Sequence, residues 1–296
     1  RFGPGETYDV MVEPQDDAYT IFAQSMERSG YARGTLSVRQ GLTAPVPEPD
    51  SPEWLTMKDM MGAMGGGAMG HDMMKMDSMG QTKMDHSQMS GGMAMDHSMH
   101  GMQQGSENPL AKPSSTIRHA RTEYGASVDQ RVDTPSTNLD DPGIGLRNLS
   151  QRGLRPQGHR VLTLADLKSI DGVLDDRRPP ARELELHLTG NMERYSWSFD
   201  GLEFGKSTPV SLRHNERVRI ILQNDTMMTH PMHLHGMWSE LETDQGELRV
   251  RRHTIPVQPA QRISYLTTPH DLGRWAWHCH LLFHMDAGMF REVVVS

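Results

Sequence analysis

The stretch His278-Cys279-His280-Leu281-Leu282-Phe283-His284-Met285-Asp286-Ala287-Gly288-Met289 leaves few folds open to this chain. Strand-forming residues flank it, Trp275-Ala276-Trp277 before and Phe290-Arg291-Glu292-Val293-Val294-Val295 after. Side chains alternate between the two faces of a strand, so His278 and His280 point one way and Cys279 the other. One run of backbone then serves two sites set back to back. Cys279, His284 and Met289 offer a thiolate, an imidazole and a thioether. One more imidazole completes the donor set of a blue-copper electron-transfer centre, two His and a Cys with a weak axial Met.

Candidates for that imidazole lie in His230-Pro231-Met232-His233-Leu234-His235-Gly236. His233 and His235 are two apart and share a face if the segment is extended, while His230 stands outside the pair. We assign His230 to the site with Cys279, His284 and Met289. His233, His235, His278 and His280 then face a second, histidine-only copper cluster. A lone H-x-H is more often a pair of satisfied core histidines, and a lone Cys a small buried hydrophobe. Two dense clusters with complementary ligand types favour metal.

H-P-M-H-L-H-G followed by H-C-H-x3-H-x4-M resembles the C-terminal copper domain of multicopper oxidases, the group of laccases and bacterial cuprous oxidases. The resemblance implies an all-β fold, a cupredoxin Greek-key β-sandwich, and copper as cofactor. It places type 1 copper on His230, Cys279, His284 and Met289. It gives His233 to the type 2 copper and His235, His278 and His280 to the type 3 pair. The family's trinuclear cluster takes its other ligands from H-x-H pairs of an N-terminal cupredoxin domain. This chain has no such pairs beyond His233/His235 and His278/His280. It therefore builds half of the oxygen-reducing cluster, and an N-terminal cupredoxin domain is the expected partner.

At 296 residues the chain has room for two ordinary domains, but only 35% of it is hydrophobic and much of the length is not core. A formal net charge of -8 gives no basic footprint for nucleic acid. A single Cys excludes an internal disulfide and says little about redox compartment. No apolar run approaches the ~20 residues of a membrane span.

Residues 1–41 read as the terminal strands of a truncated middle cupredoxin domain. Tyr8-Asp9-Val10-Met11-Val12, Thr20-Ile21-Phe22-Ala23-Gln24-Ser25 and Gly34-Thr35-Leu36-Ser37-Val38-Arg39 alternate as short strands between Pro and Gly. Pro4-Gly5-Glu6-Thr7-Tyr8-Asp9-Val10 resembles late strands of the family's middle domain. That favours a piece of a longer chain over a split enzyme or a short form. Residues 42–116 are a linker whose segment 57–102 holds 15 of the chain's 24 Met and four His. Its near-repeats, Met84-Asp85-His86-Ser87-Gln88-Met89 and Met95-Asp96-His97-Ser98-Met99-His100, have neither helical nor strand period. An ordinary linker uses Gly and Ser. Thioethers select Cu(I), so a flexible copper-capturing arm is the functional reading, against a Met-rich hydrophobic surface or neutral drift.

Residues 117–296 read as the C-terminal cupredoxin domain, with type 1 copper and half of the trinuclear site. Tyr124 to Leu146 is polar and loop-like, with a turn at Asp140-Asp141-Pro142-Gly143, and its order is similar to a strap in copper-resistance oxidases. A solvated loop explains Asp129, Asp133, Asp140 and Asp141 better than a metal cluster does. Strands follow at Leu184-Glu185-Leu186-His187-Leu188, Tyr195 to Phe199, Glu216 to Leu222, Arg249-Val250-Arg251 and Ile263-Ser264-Tyr265-Leu266, a sandwich pattern with little helix.

The resemblance implies a mechanism. A reductant gives electrons at the His230 or His284 edge, and they pass through Cys279 to His278 and His280. Four of them reduce O2 to two waters at the cluster. Asp286 relays protons or holds His284, or equally caps a turn. Asp225, Met227 and Met228, just before His230, place hard and soft ligands near the electron-entry face. With the Met/His arm they point to Cu(I) as reductant and to a periplasmic copper-resistance enzyme. Two alternatives stand: a laccase-like oxidase of phenols or other small-molecule reductants, and a non-catalytic copper-binding fragment.

Overall fold

Alternation in the C-terminal half becomes two facing sheets. The computed structural model describes residues 2–50, 110–143, 161–170, 174 and 176–296. The Met-rich segment 57–102 lies outside these residues. Strands β1 (Ala18–Gln24) and β2 (Tyr31–Ser37) form an antiparallel hairpin. The remaining strands are β3 (Arg182–Asn191), β4 (Ser196–Phe199), β5 (Val210–Leu212), β6 (Val218–Asn224), β7 (His230–Leu234), β8 (Ser239–Glu242), β9 (Leu248–Arg252), β10 (Thr254–Val257), β11 (Arg262–Thr267), β12 (Gly273–Cys279) and β13 (Phe290–Val295). One short helix, α1 (Leu282–Asp286), joins the last two. Among the described residues no helix is long and apolar enough to cross a membrane.

One sheet has the order β4-β3-β6-β11-β8-β9, the other β10-β7-β12-β13-β5. Most pairs are antiparallel, but β3·β6 and β13·β5 are parallel, as crossovers between the sheets require. The chain thus forms the expected all-β cupredoxin sandwich. Val218, Ile220 and Leu222 of β6 point inward, and Trp197, Phe199 and Trp277 fill the space between the layers.

The outer face of the larger sheet is polar yet buried, because residues 110–143 run across it. Arg219 donates to the carbonyls of Leu110 and Lys112, and Arg262 to those of Ser114 and Thr116. Beneath them buried arginines pair with carboxylates: Arg217 with Glu240 at 2.5 Å, Arg219 with Glu242 at 2.6 Å and Arg262 with Glu185 at 2.6 Å. These charges answer each other in place of water.

Strands 20–25 and 34–39 are found near β1 and β2, but Tyr8 to Val12 forms no strand. Val10, Met11 and Val12 are 76%, 93% and 55% exposed, so their alternation has no sheet to join. The preceding residues instead dock on the C-terminal sandwich. Arg252 holds Glu6 at 2.9 Å and lies 4.4 Å over the Tyr8 ring. Gly5, at φ 75°, sits so near the His280 ring that a Cβ there would meet its Cδ2 at 2.5 Å.

Candidate metal centre

Register decides which side chains meet. In the smaller sheet β12 lies beside β7, with Trp277 opposite Leu234, His278 opposite His233 and Cys279 opposite Met232. Pleating sends Trp277 and Cys279 into the core with His230, Met232 and Leu234, and sends His278 and His233 to the outer face.

On the inner face His230, Cys279 and His284 converge, each at most 2% exposed. His230 Nδ1 is 3.1 Å from His284 Nδ1 and 3.6 Å from Cys279 Sγ, and His284 Nδ1 is 3.9 Å from that sulfur. One turn of α1 carries His284 back over Cys279. Gly288, at φ 119°, then turns the chain where a Cβ would strike the Trp197 carbonyl. Met289 follows, fully buried, and the Cys279 amide donates to its carbonyl at 3.1 Å. Burial pushes the Cys279 thiol up to about 12 and the His284 imidazole down to about 4. Burial, then the nearness of His284, lowers His230 well below the ordinary histidine range. Both rings are therefore neutral donors, and a metal ion must displace the thiol proton.

On the outer face four imidazoles gather. His235 Nε2 lies 3.0 Å from His278 Nε2, and the His233 ring stands 4.5 Å from that of His235 and 5.6 Å from those of His278 and His280. His233 Nδ1 bonds the His253 carbonyl at 2.6 Å and His278 Nδ1 the Cys279 carbonyl at 3.0 Å. Donation to those carbonyls fixes the tautomer and leaves Nε2 as a lone-pair donor, the usual arrangement behind a metal-binding histidine. Burial first, then the neighbouring rings, lowers the His235 pKa. The face opens into a cleft of about 540 Å3 lined by His233, His235, Trp238 and His253 among others.

The pattern of strands and donors has counterparts in known proteins. Residues 177–296 match the multicopper oxidase family profile. Over its full length the chain is 49% identical to copper resistance protein A of Escherichia coli, covering 49% of that protein. It is 50% identical to copper resistance protein A of Pseudomonas syringae pv. tomato, again covering 49%. Residues 177–296 belong to the multicopper oxidase family. The chain spans about half the length of the curated relatives it matches. A solved multicopper oxidase from Campylobacter jejuni aligns over 42% of this chain and 31% of its own, with 21% identity and a TM-score of 0.37.

Copper is the cofactor of this multicopper oxidase domain, and the inner donors fit it. A four-coordinate ion held at ordinary N and S bond lengths needs donor separations of roughly 3.3–3.7 Å, close to the 3.1–3.9 Å seen here. Thiolate, imidazole and thioether are also the softer donors that suit copper.

Two expected placements are corrected. Asp286 ends α1 exposed, and no hydrogen bond or ion pair joins it to His284. Two residues on, a helix turns about 200°, which carries the carboxylate away from the ring. Asp225 is fully buried, not at an entry face. It accepts from the Val132 amide and Gln223 and contacts His187 at 2.9 Å. Met228 does pack against the core beside β7.

Other residues carry no sequence signal. Thr226 places its hydroxyl 2.6 Å from His230 Nε2. Trp197 stacks on His284 with centroids 4.1 Å apart. His253 stands 5.6 Å from His233 and reaches Thr7.

Proposed function

We propose that this chain supplies the electron-accepting site and half of the oxygen-reducing site of a copper-resistance multicopper oxidase. His230, Cys279, His284 and Met289 hold the type 1 copper. His233, His235, His278 and His280 give four ligands of the trinuclear cluster, which an N-terminal cupredoxin domain completes. Residues 1–41, 42–116 and 117–296 serve as the end of a middle domain, the copper-capturing linker and the C-terminal domain. Cu(I) is the reductant and the periplasm the compartment.

The observation that carries this reading is the pair of donor sets on opposite faces of the same two strands. Copper, when bound, supplies one-electron chemistry, four Cu(I) substrate ions becoming Cu(II) as O2 takes up four protons and becomes two waters. The protein's part is positional. Peptide bonds from Cys279 to His278 and His280 give the shortest covalent link between the faces. Thr226 and the His253 and Cys279 carbonyls fix ring orientation before any metal arrives, so less reorganisation accompanies binding. Trp197 and Trp277, both 0% exposed, keep water from the inner site. Names of the full-length relatives support the copper-resistance role.

The test is the copper content and absorption of Cys279→Ser beside the unaltered chain. Loss of an intense blue band with retention of the fold supports the assignment, and an unchanged band overturns it. With the N-terminal domain present, removal of residues 57–102 lowers oxidation of Cu(I) selectively. Equal loss on Cu(I) and a phenol favours a laccase-like enzyme.

A further inference from the structure

Behind the six-stranded sheet's edge lies a donor cluster that the copper sites do not use. His119 and Glu123 belong to the strap of residues 110–143 that crosses this sheet, just before and within a 3-10 turn spanning Arg121–Tyr124, His187 to β3, and Asp225 to the residue after β6. Glu123, His187 and Asp225 are at most 1% exposed. Both rings turn Nδ1 toward the same two oxygens. His119 Nδ1 lies 2.7 Å from Glu123 Oε2 and 3.4 Å from Asp225 Oδ2; His187 Nδ1 lies 3.2 Å and 2.9 Å from them.

We propose that His119, Glu123, His187 and Asp225 form a mononuclear site for a four-coordinate divalent cation of the zinc class, separate from both copper faces. Two imidazoles and two carboxylates, one donor atom each, are a common zinc set. A tetrahedral ion with bonds of 2.0–2.1 Å needs donor separations of roughly 3.3 Å, which the 3.2 and 3.4 Å contacts already meet and the 2.7 and 2.9 Å contacts reach by opening a few tenths of an ångström. Most of the outward atoms are already engaged. Glu123 Oε1 accepts from the Ala120 amide at 2.7 Å, and Asp225 Oδ1 from the Val132 amide and Gln223. His187 Nε2 meets Glu185 at 3.0 Å, while His119 Nε2 makes no hydrogen bond and has only the exposed Asp133 carboxylate 3.5 Å away. The Glu185 carboxylate behind His187 is the support that metal-binding histidines ordinarily have.

Charge argues the same way. Among the described residues no Lys or Arg side chain pairs with the Glu123 or Asp225 carboxylate. Two buried carboxylates facing each other need a counter-charge, supplied by histidinium protons or by a metal ion. A single cation met by all four donors meets that need at one point. The thiolate and thioether of the inner copper site are absent here, so the preference shifts from copper(I) to borderline divalent ions.

The test uses metal-free full-length chain carrying Cys279→Ser, so that no thiolate competes, titrated with Co2+ alone. One equivalent giving a tetrahedral cobalt ligand-field band is expected. The band disappears in His119→Gln/Glu123→Gln and persists in His235→Gln/His278→Gln. Absence of the band, its survival in the first double variant, or its loss in the second overturns the proposal. Should the first double variant fail to fold, a crystal of the unaltered chain soaked in Zn2+ decides by anomalous scattering. A peak among the four side chains supports the site; no peak there leaves a histidinium–carboxylate cluster and overturns it.

Discussion

Thr226 shows how a single hydroxyl acts on a proposed copper ligand it never replaces. Its Oγ1, 2.6 Å from His230 Nε2, lies within a fully buried pocket. Thr226→Val keeps the shape and strands that nitrogen, which costs about 1–3 kcal/mol. We expect a lower urea midpoint and an altered blue band with copper content unchanged. Trp197→Leu removes the ring stacked on His284 and opens a void. The loss expected is about 3 kcal/mol, with weaker copper retention measured by competition with a chelator. Asp176 tests charge. The Arg178 hydrogen bond, chief among several, holds its carboxyl far below the usual carboxylate range. A depressed pKa contributes stability at neutral pH that is lost as pH falls below about 4. Arg178 is largely in water, so Asp176→Asn costs at most about 1 kcal/mol at pH 7, and the gap to the unaltered chain narrows at pH 3 in urea titrations. At this scale the placement of Cys279, His278 and His280 on opposite faces was legible, because period-two alternation needs no knowledge of the fold. Thr226, Trp197 and His253 were not, since their roles arise from contacts between distant segments. Asp225 misled for the same reason: a polar residue beside a ligand loop reads as exposed until the strap covering it is seen.

At the level of elements, strands with apolar alternation were readable and the others hid behind their chemistry. β10 carries Pro256, which demotes a strand in sequence but is tolerated at the edge this strand occupies. β8 reads Ser-Glu-Leu-Glu, yet Glu240 and Glu242 are buried because Arg217, just before β6, and Arg219 within it meet them. β5 is three residues long, too short for any period to show. The strap gave no periodic signal, as it is held by backbone carbonyls that any sequence offers. Buried pairing makes a sharp forecast. Glu242→Ala removes the bidentate partner of buried Arg219, leaving it only Glu183 at 3.6 Å and two backbone carbonyls, and destabilises by about 3 kcal/mol. Glu203→Ala, breaking an exposed pair with Lys206, changes stability by less than about 1 kcal/mol. Equal effects in denaturant unfolding would contradict the reading of a buried ladder.

For the molecule as a whole, metal and fold are linked. An ion that binds only the folded chain adds about 4 kcal/mol when free copper stands a thousandfold above its dissociation constant. Chelation should therefore lower the melting temperature, and Cys279→Ser should remove most of that dependence. The docked segment at Gly5 adds a further check: Gly5→Ala forces a left-handed residue against His280 and should loosen residues 2–8, seen as faster amide exchange there. The back-to-back donors also limit how such a gene can change length. Odd and even positions along β12 are addresses for the two proposed copper sites, and parity is preserved only by shifts of two. One residue gained between Trp275 and Cys279 would deliver imidazole to the chamber built for sulfur and sulfur to the one built for imidazole. Point changes can accumulate in this strand, but single-codon insertions cannot.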